Sequence, residues 1–142
     1  NMVFSVGSGT PYSPMEVYDE ATLAAVTPTP IGPINSRYGP WTYRMDLKAN
    51  RMFNIGDFNL DFYVWVLNVF DTENAIDVYE GTGDPDNTGW LATPPGEEFI
   101  QTYSDPDPVT GLTGEEKYLF KQNDPRNYGT PRQIRIGARL GF

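Results

Sequence analysis

The chain contains no histidine and no cysteine in its 142 residues, which removes the commonest acid–base group and the thiol nucleophile together. No Ser-His-Asp or Cys-His triad can be assembled. Gly7-Ser8-Gly9 and Gly81-Thr82-Gly83 read as turn glycines, not as a phosphate cradle, so catalytic residues are not assigned and no enzyme is expected. The densest set of oxygen donors is Asp84, Asp86 and Asn87 in Gly-Asp-Pro-Asp-Asn-Thr-Gly, which could hold Ca²⁺. Their spacing completes no calcium loop, and Pro85 between them is ordinary turn chemistry. Asp105 and Asp107 make a weaker candidate of the same kind, and no other cofactor is expected. The remaining ordered charges are Arg44, Asp46, Lys48, Asp61, Arg135 and Arg139, which share one parity along three alternating stretches. They form either a polar wall for a passing substrate or, more simply, a ladder of cross-strand ion pairs.

The stretch that positions the last two of these charges is Pro131 to Phe142. Ile134, Ile136, Ala138, Leu140 and Phe142 fall on one parity, and Gln133, Arg135, Gly137, Arg139 and Gly141 on the other. Successive side chains of a strand point to opposite faces, so this is a strand with one apolar face. Its twelve residues suffice for a tilted membrane crossing, which takes roughly 9–11, and its final Phe suits the aromatic girdle at a membrane interface. Residues 41–53 alternate in the same way, as do 58–66, with a tight turn at 54–57 between them. At 67–71 the parity slips, and a β-bulge is expected there. Residues 2–7 read as one more short strand.

No run approaches the roughly 18 apolar residues of a membrane helix. The net charge of −9 is concentrated: residues 71–130 carry 13 acidic and three basic groups, and the rest of the chain six and seven. Such a loop repels nucleic acid, which is excluded as a partner. Residues 8–40 and 71–130 are long and rich in Pro and Gly. Within them Ser13–Ala25 is expected as a short helix capped by Ser13, and 117–121 as a strand pairing with 75–80. An exported protein needs a leader, and none opens this sequence, so the chain is expected to be the C-terminal piece of a longer polypeptide.

Arg135-x-Gly137-x-x-Leu140-x-Phe142 resembles the C-terminal barrel-assembly signal of bacterial outer-membrane proteins. Beyond it, Ser8–Pro14, Asn35–Trp41, Tyr43–Lys48, Leu67–Asn74, Val78–Gly83 and Arg126–Gly137 resemble, in order, the end of the TonB-dependent outer-membrane receptors; Leu-Asn-Val-Phe-Asp departs from that family's usual strand-end pattern, which has Asn at position 71. The resemblance implies an all-β fold, the C-terminal antiparallel strands of a transmembrane β-barrel of about 22 strands with long extracellular loops. Residues 1–142 would then be barrel, with strands near 2–7, 41–53, 58–70 and 131–142 and outer loops 8–40 and 71–130, the plug domain lying outside this chain. It further implies energy-coupled import of a scarce ligand (siderophore, vitamin, glycan or peptide) across the outer membrane of a Gram-negative-type bacterium. The partners would be outer-membrane lipid, the rest of the barrel and its plug, the inner-membrane TonB complex and a surface lipoprotein. A periplasmic C-terminus makes turn 54–57 periplasmic and both long loops external, as such proteins require. The alternatives are a soluble or surface β-sandwich that binds a ligand, and a smaller structural barrel.

Overall fold

In the computed structural model, residues 1–19 and 27–141 are described. They fall into two compact units, one made of Asn1–Gly7, Trp41–Asn74 and Gly129–Phe142, the other of Ser8–Pro40 and Ala75–Tyr128. In chain order the strands are β1 (Met2–Gly7), β2 (Pro11–Tyr12), β3 (Arg37–Tyr38), β4 (Thr42–Ile55), β5 (Phe58–Leu67) and β6 (Gln133–Gly141). The helices are α1 (Pro94–Thr102) and α2 (Gly114–Gln122).

The first unit is one antiparallel sheet in the order β1-β4-β5-β6. β4 and β5 are joined at Gly56-Asp57, where Gly56 has φ +61°, a conformation that glycine adopts without steric cost. The register sets like against like. Leu47 faces Val66 and Phe53 faces Leu60 across β4 and β5, and Val64 faces Ile136 and Leu60 faces Leu140 across β5 and β6. One parity of every strand is therefore apolar over the whole sheet, because a slip of one residue would invert it. Both long connections leave the sheet at the end opposite the Gly56-Asp57 turn, beyond Gly7 and beyond Leu67.

β5 ends at Leu67, and the parity slip after it has the offset of a bulge: the register would set Asn68 opposite Met45, but Val69 N–H, one residue later, donates to Met45 O at 2.7 Å. Asn68 and Asp71 take left-handed backbone conformations, φ +53° and +55°, which Asn and Asp tolerate better than other residues that carry a side chain. Asn68 is only 2% exposed, and its amide is fully used. Its Nδ2 donates to the carbonyls of Thr72 (3.0 Å) and Thr130 (3.3 Å), and its Oδ1 accepts from Thr72 N–H at 3.1 Å. Its backbone N–H donates to Asp46 Oδ1 at 2.9 Å. Asn68, a polar residue at the end of an apolar strand, is thus held by three side-chain bonds and one backbone bond to three segments, and it closes the strand.

Two expectations about architecture are overturned here. The chain is a mixture of α and β rather than all-β, and its long strands make an open four-stranded sheet. No barrel is present among the described residues, so the reading as the C-terminal part of a 22-strand barrel falls. The alternation that suggested it is equally the signature of any sheet with one apolar face.

The second unit holds the helices. Residues 117–121, expected as a strand against 75–80, lie inside α2. Thr113 Oγ1 accepts from Glu116 N–H while Glu116 Oε2 accepts from Thr113 N–H, a reciprocal cap that starts α2. α1 starts at Thr93, whose hydroxyl accepts from Gly96 N–H, with Pro94 in the first turn where its missing N–H costs nothing. Ala75 instead bridges Tyr128, and Ile76 N–H donates to Asn127 O at 2.8 Å. Of the expected helix Ser13–Ala25, residues 13–19 are not helical, Met15 bridging Pro30; residues 20–25 lie outside the described residues. β2 and β3 pair as a short ribbon. Thr88, Tyr118 and Gln122 form a buried polar knot, in which Thr88 N–H and Oγ1 both reach Gln122 Oε1 (3.1 and 3.2 Å) and Thr88 Oγ1 lies 3.0 Å from Tyr118 Oη. Among the described residues no helix is long and apolar enough to cross a membrane.

Candidate functional site

The sheet has two faces of opposite chemistry. On the first, β1 contributes Met2, Phe4 and Val6, β4 contributes Tyr43, Leu47, Phe53 and Ile55, β5 contributes Phe58, Phe62 and Val64, and β6 contributes Ile134, Ile136 and Leu140. All of them are exposed, Phe4 by 57% and Ile136 by 77%. Arg51, the cation on this face, sets its guanidinium 5.7 Å from the Phe53 ring centroid and stands opposite Phe62 in the register. Covering such side chains is worth roughly 1.5–3 kcal/mol each when complete. Those left half-open on this face therefore represent on the order of 10 kcal/mol of unrealised burial, as much as the whole stability of a typical domain.

The second face carries the six charged residues picked out by parity, and their organisation differs from an ion-pair ladder. Lys48 Nζ lies 5.9 Å from the Tyr63 ring and 5.6 Å from the Trp65 ring; Arg135 sits 5.4 Å from Trp65, and Arg139 sits 5.3 Å from Tyr63. Two rings on β5 are thus flanked by cations from both neighbouring strands. The register explains this, since Trp65 is opposite Lys48 on one side and Arg135 on the other. Each contact contributes about 0.5–1 kcal/mol at an exposed position. Asp61 accepts from Asn50 Nδ2 at 3.1 Å although Arg139 is its register partner. Among the described residues the ion pair within the set is Arg44 with Asp46, at 2.8 Å.

The four assembly-signal positions lie as follows. Arg135 and Gly137 are on the cationic face, Leu140 is on the apolar face, and Phe142 lies outside the described residues. Gly137 has a local reason for its identity, since a Cβ there would collide with the Tyr63 phenol, which fills the space above it. Tyr63 and Trp65 fall on the charged parity of β5, and in the structure they are the bed on which the cations rest. Their signal in the sequence is an aromatic at alternate positions of β5 opposite Lys48, Arg135 and Gly137.

In the second unit, Asp84, Asp86 and Asn87 serve a turn. Asp84 Oδ1 accepts from Asp86 N–H at 2.8 Å, Asn87 Oδ1 accepts from Gly89 N–H at 2.8 Å, and Asp86 accepts from the Tyr128 hydroxyl. Among the described residues no group of three acidic side chains is placed to share a metal.

A cavity of about 580 Å³ opens beside α2, walled by Phe99, Tyr103, Leu112 and Tyr118 with Pro106 and Pro108. Trp90 backs it, stacked on Tyr118 at 4.9 Å and tilted against Phe99 at 5.4 Å. Burial pushes the Tyr118 hydroxyl well above the ordinary phenol range. At the rim Lys117 Nζ donates to Asp107 Oδ2 at 2.5 Å, and the N–H groups of Val109 and Thr110 donate to Asp107 Oδ1. The Lys117 bond first, then those two N–H groups, hold the Asp107 carboxyl down at about 2. Asp124 is likewise held below the usual carboxylate range by its bonds from Arg126. Asp105 and Asp107, the weaker oxygen-donor candidates of the sequence, line this cavity, whereas its aromatic walls come from segments expected as loop or, at 117–121, as strand.

Comparison of the chain with protein-family models, with curated proteins and with solved structures finds no match in any of the three.

Proposed function

We propose that the chain is part of an outer-membrane receptor of the TonB-dependent kind, in which the open sheet lays its apolar face against lipid and turns its cationic–aromatic face to water. The observation that carries this reading is the continuous uncovered apolar face, spanning all four strands and opposed by a face of cations on rings. A face of this size calls for an apolar medium or a partner surface, and lipid fits it because the same strands turn charge to their other side. β6 supplies nine residues, roughly 30 Å of strand at about 3.3 Å each. Tilted by about 45°, that spans some 21 Å, close to the height of an outer-membrane apolar band. Import of a scarce ligand follows from the resemblance of the strand-end and terminal motifs.

The absence of native cysteine makes the test direct. Single cysteines at Phe62 and Ile136, and at Asn59 and Gln133 on the opposite face, would be labelled with a fluorophore in the intact polypeptide reconstituted in vesicles. Lipids carrying nitroxide quenchers on their acyl chains should quench the first pair strongly and the second weakly. Equal quenching of both faces, or a polypeptide that remains in solution without detergent, refutes membrane insertion. Ligand uptake that persists after the inner-membrane proton gradient is collapsed refutes the energy-coupled part of the reading.

A further inference from the structure

We infer that the aromatic cavity beside α2 is a binding site for a small organic cation, an amine or quaternary ammonium carried on an apolar or aromatic body. The inference concerns the loop unit alone and stands whether or not the sheet meets lipid. Three observations carry it. The cavity's volume, about 580 Å³, lies within the range of small-molecule sites, which are mostly apolar with a few polar groups. Its walls present ring surface: Phe99 lies 5.0 Å from Tyr103 and 6.3 Å from Tyr118, and Tyr103 leaves 56% of itself open at the mouth. Ring faces attract cations through their quadrupole, and aromatic walls are how proteins hold quaternary ammonium groups.

The third observation is charge. The residues of this unit include fourteen acidic and four basic side chains, a net of −10, which raises the local concentration of a cation and repels an anion. At the rim, Lys117 is neutralised by Asp107. Lys121 and Asp105 remain, each lining the cavity without an ion pair among the described residues. Asp105 is the anion that a ligand ammonium would meet, and Lys121 is the group that opposes it. The floor is prearranged by Gly114, where a Cβ would strike that of Tyr103, and by the 2.8 Å bond from Gly114 N–H to Tyr103 O. The ring at the mouth is therefore anchored to the first turn of α2.

The experiment uses the whole polypeptide, detergent-solubilised, titrated calorimetrically with three probes that share one ring: tryptamine, 3-ethylindole and indole-3-propionate. Tryptamine should bind tightest and the propionate weakest, with the neutral indole between. Tyr103→Leu should weaken tryptamine by about fivefold, the scale of one exposed cation–π contact, and Tyr103→Phe should keep it. Asp105→Asn should weaken tryptamine, and Lys121→Gln should tighten it. Absence of binding by all three probes, equal or tighter binding of the propionate, or a Tyr103→Leu variant that binds as the parent does would each overturn the assignment. Quenching by nitroxide lipids, read on the labelled polypeptide in vesicles, reports the sheet separately, so failure of one reading leaves the other readable.

Discussion

Ile136 offers the sharpest test of where the apolar face lies. It is in the middle of β6, opposite Val64, with 77% of its surface open. Consider Ile136→Arg. If the face were bathed in water, an exposed substitution of this kind would change stability by no more than about 0.5 kcal/mol, and the lost packing on Val64 would be small. If the face meets hydrocarbon, an arginine near the bilayer centre costs about 2–4 kcal/mol, and the penalty falls to about 0–1 near the interfaces. The structure sets the depth profile. Each step of two residues along β6 advances roughly 6–7 Å, so arginine at Ile136 or Ala138 should cost most, and at Ile134 or Leu140 less. The assay is reversible urea unfolding of the intact polypeptide in phospholipid vesicles, followed by tryptophan emission. Gln133→Arg, on the cationic face, is the control and should be nearly neutral. A flat profile, with Ile136→Arg within 0.5 kcal/mol of the parent, would falsify the lipid assignment. A penalty of similar size at Ile134, Ile136 and Leu140 would point instead to a protein surface covering the face.

Other outcomes follow from the local geometry. Gly137→Ala should destabilise the sheet by about 1–3 kcal/mol, the cost of overpacking, and Tyr63→Ala in the same chain should relieve much of that loss. Asn68→Ala should cost about 2–3 kcal/mol, because it strands the carbonyls of Thr72 and Thr130 and asks alanine to hold a positive φ; Asn68→Gly should recover only the backbone part. Thr113→Ala should cost α2 about 1 kcal/mol, seen as faster hydrogen exchange at the amides of its first turn. The Asp107 carboxyl is depressed to about 2, so the Lys117 bridge stabilises fully above the ordinary carboxylate range and is lost as the pH falls from about 4 through 2. Trp90 emission should hold steady down to about pH 4 and change below it, and Asp107→Asn should abolish that pH dependence.

The parts of the fold that were legible in the sequence are those governed by parity. Tyr43, Leu47 and Phe53 against Arg44, Asp46 and Lys48 assign two faces without reference to any other strand, and the register keeps those faces continuous across β4, β5 and β6. Closure was not legible, since alternation is the same in an open sheet as in a barrel. The slip at Asn68 was visible as one residue too many, whereas the left-handed backbone that absorbs it, and the bonds from Asn68 to Thr72 and Thr130 that hold it, were not. The helices were lost to local preference. Lys117–Lys121 is rich in residues that suit a strand, yet the Thr113–Glu116 pair starts a helix before them. That cap is a readable pattern, and it outweighs the β-preference of two aromatic residues. The cation–ring face lay half in view: the charges alternate visibly, whereas their partners became evident only with Lys48 placed across from Trp65.

The neck at Asn74 and Gly129 has a consequence for how this chain can vary. Gly129 N–H donates to the Asn74 carbonyl at 2.8 Å, and Asn74 itself grips Tyr43 through Oδ1 at 2.7 Å and Nδ2 at 2.8 Å. Everything between those two residues is an insertion whose ends are tied to the sheet by bonds that the insertion's own sequence does not enter. Doubling the length of a flexible insertion adds only about 0.6 kcal/mol of closure entropy. Loops within residues 75–128 can therefore lengthen or shorten while the strands keep their register, but an exchange at the Asn74–Gly129 seam must carry residues 8–40 with it, since Met15 N–H donates to Glu80 O and Thr10 Oγ1 to Ile76 O.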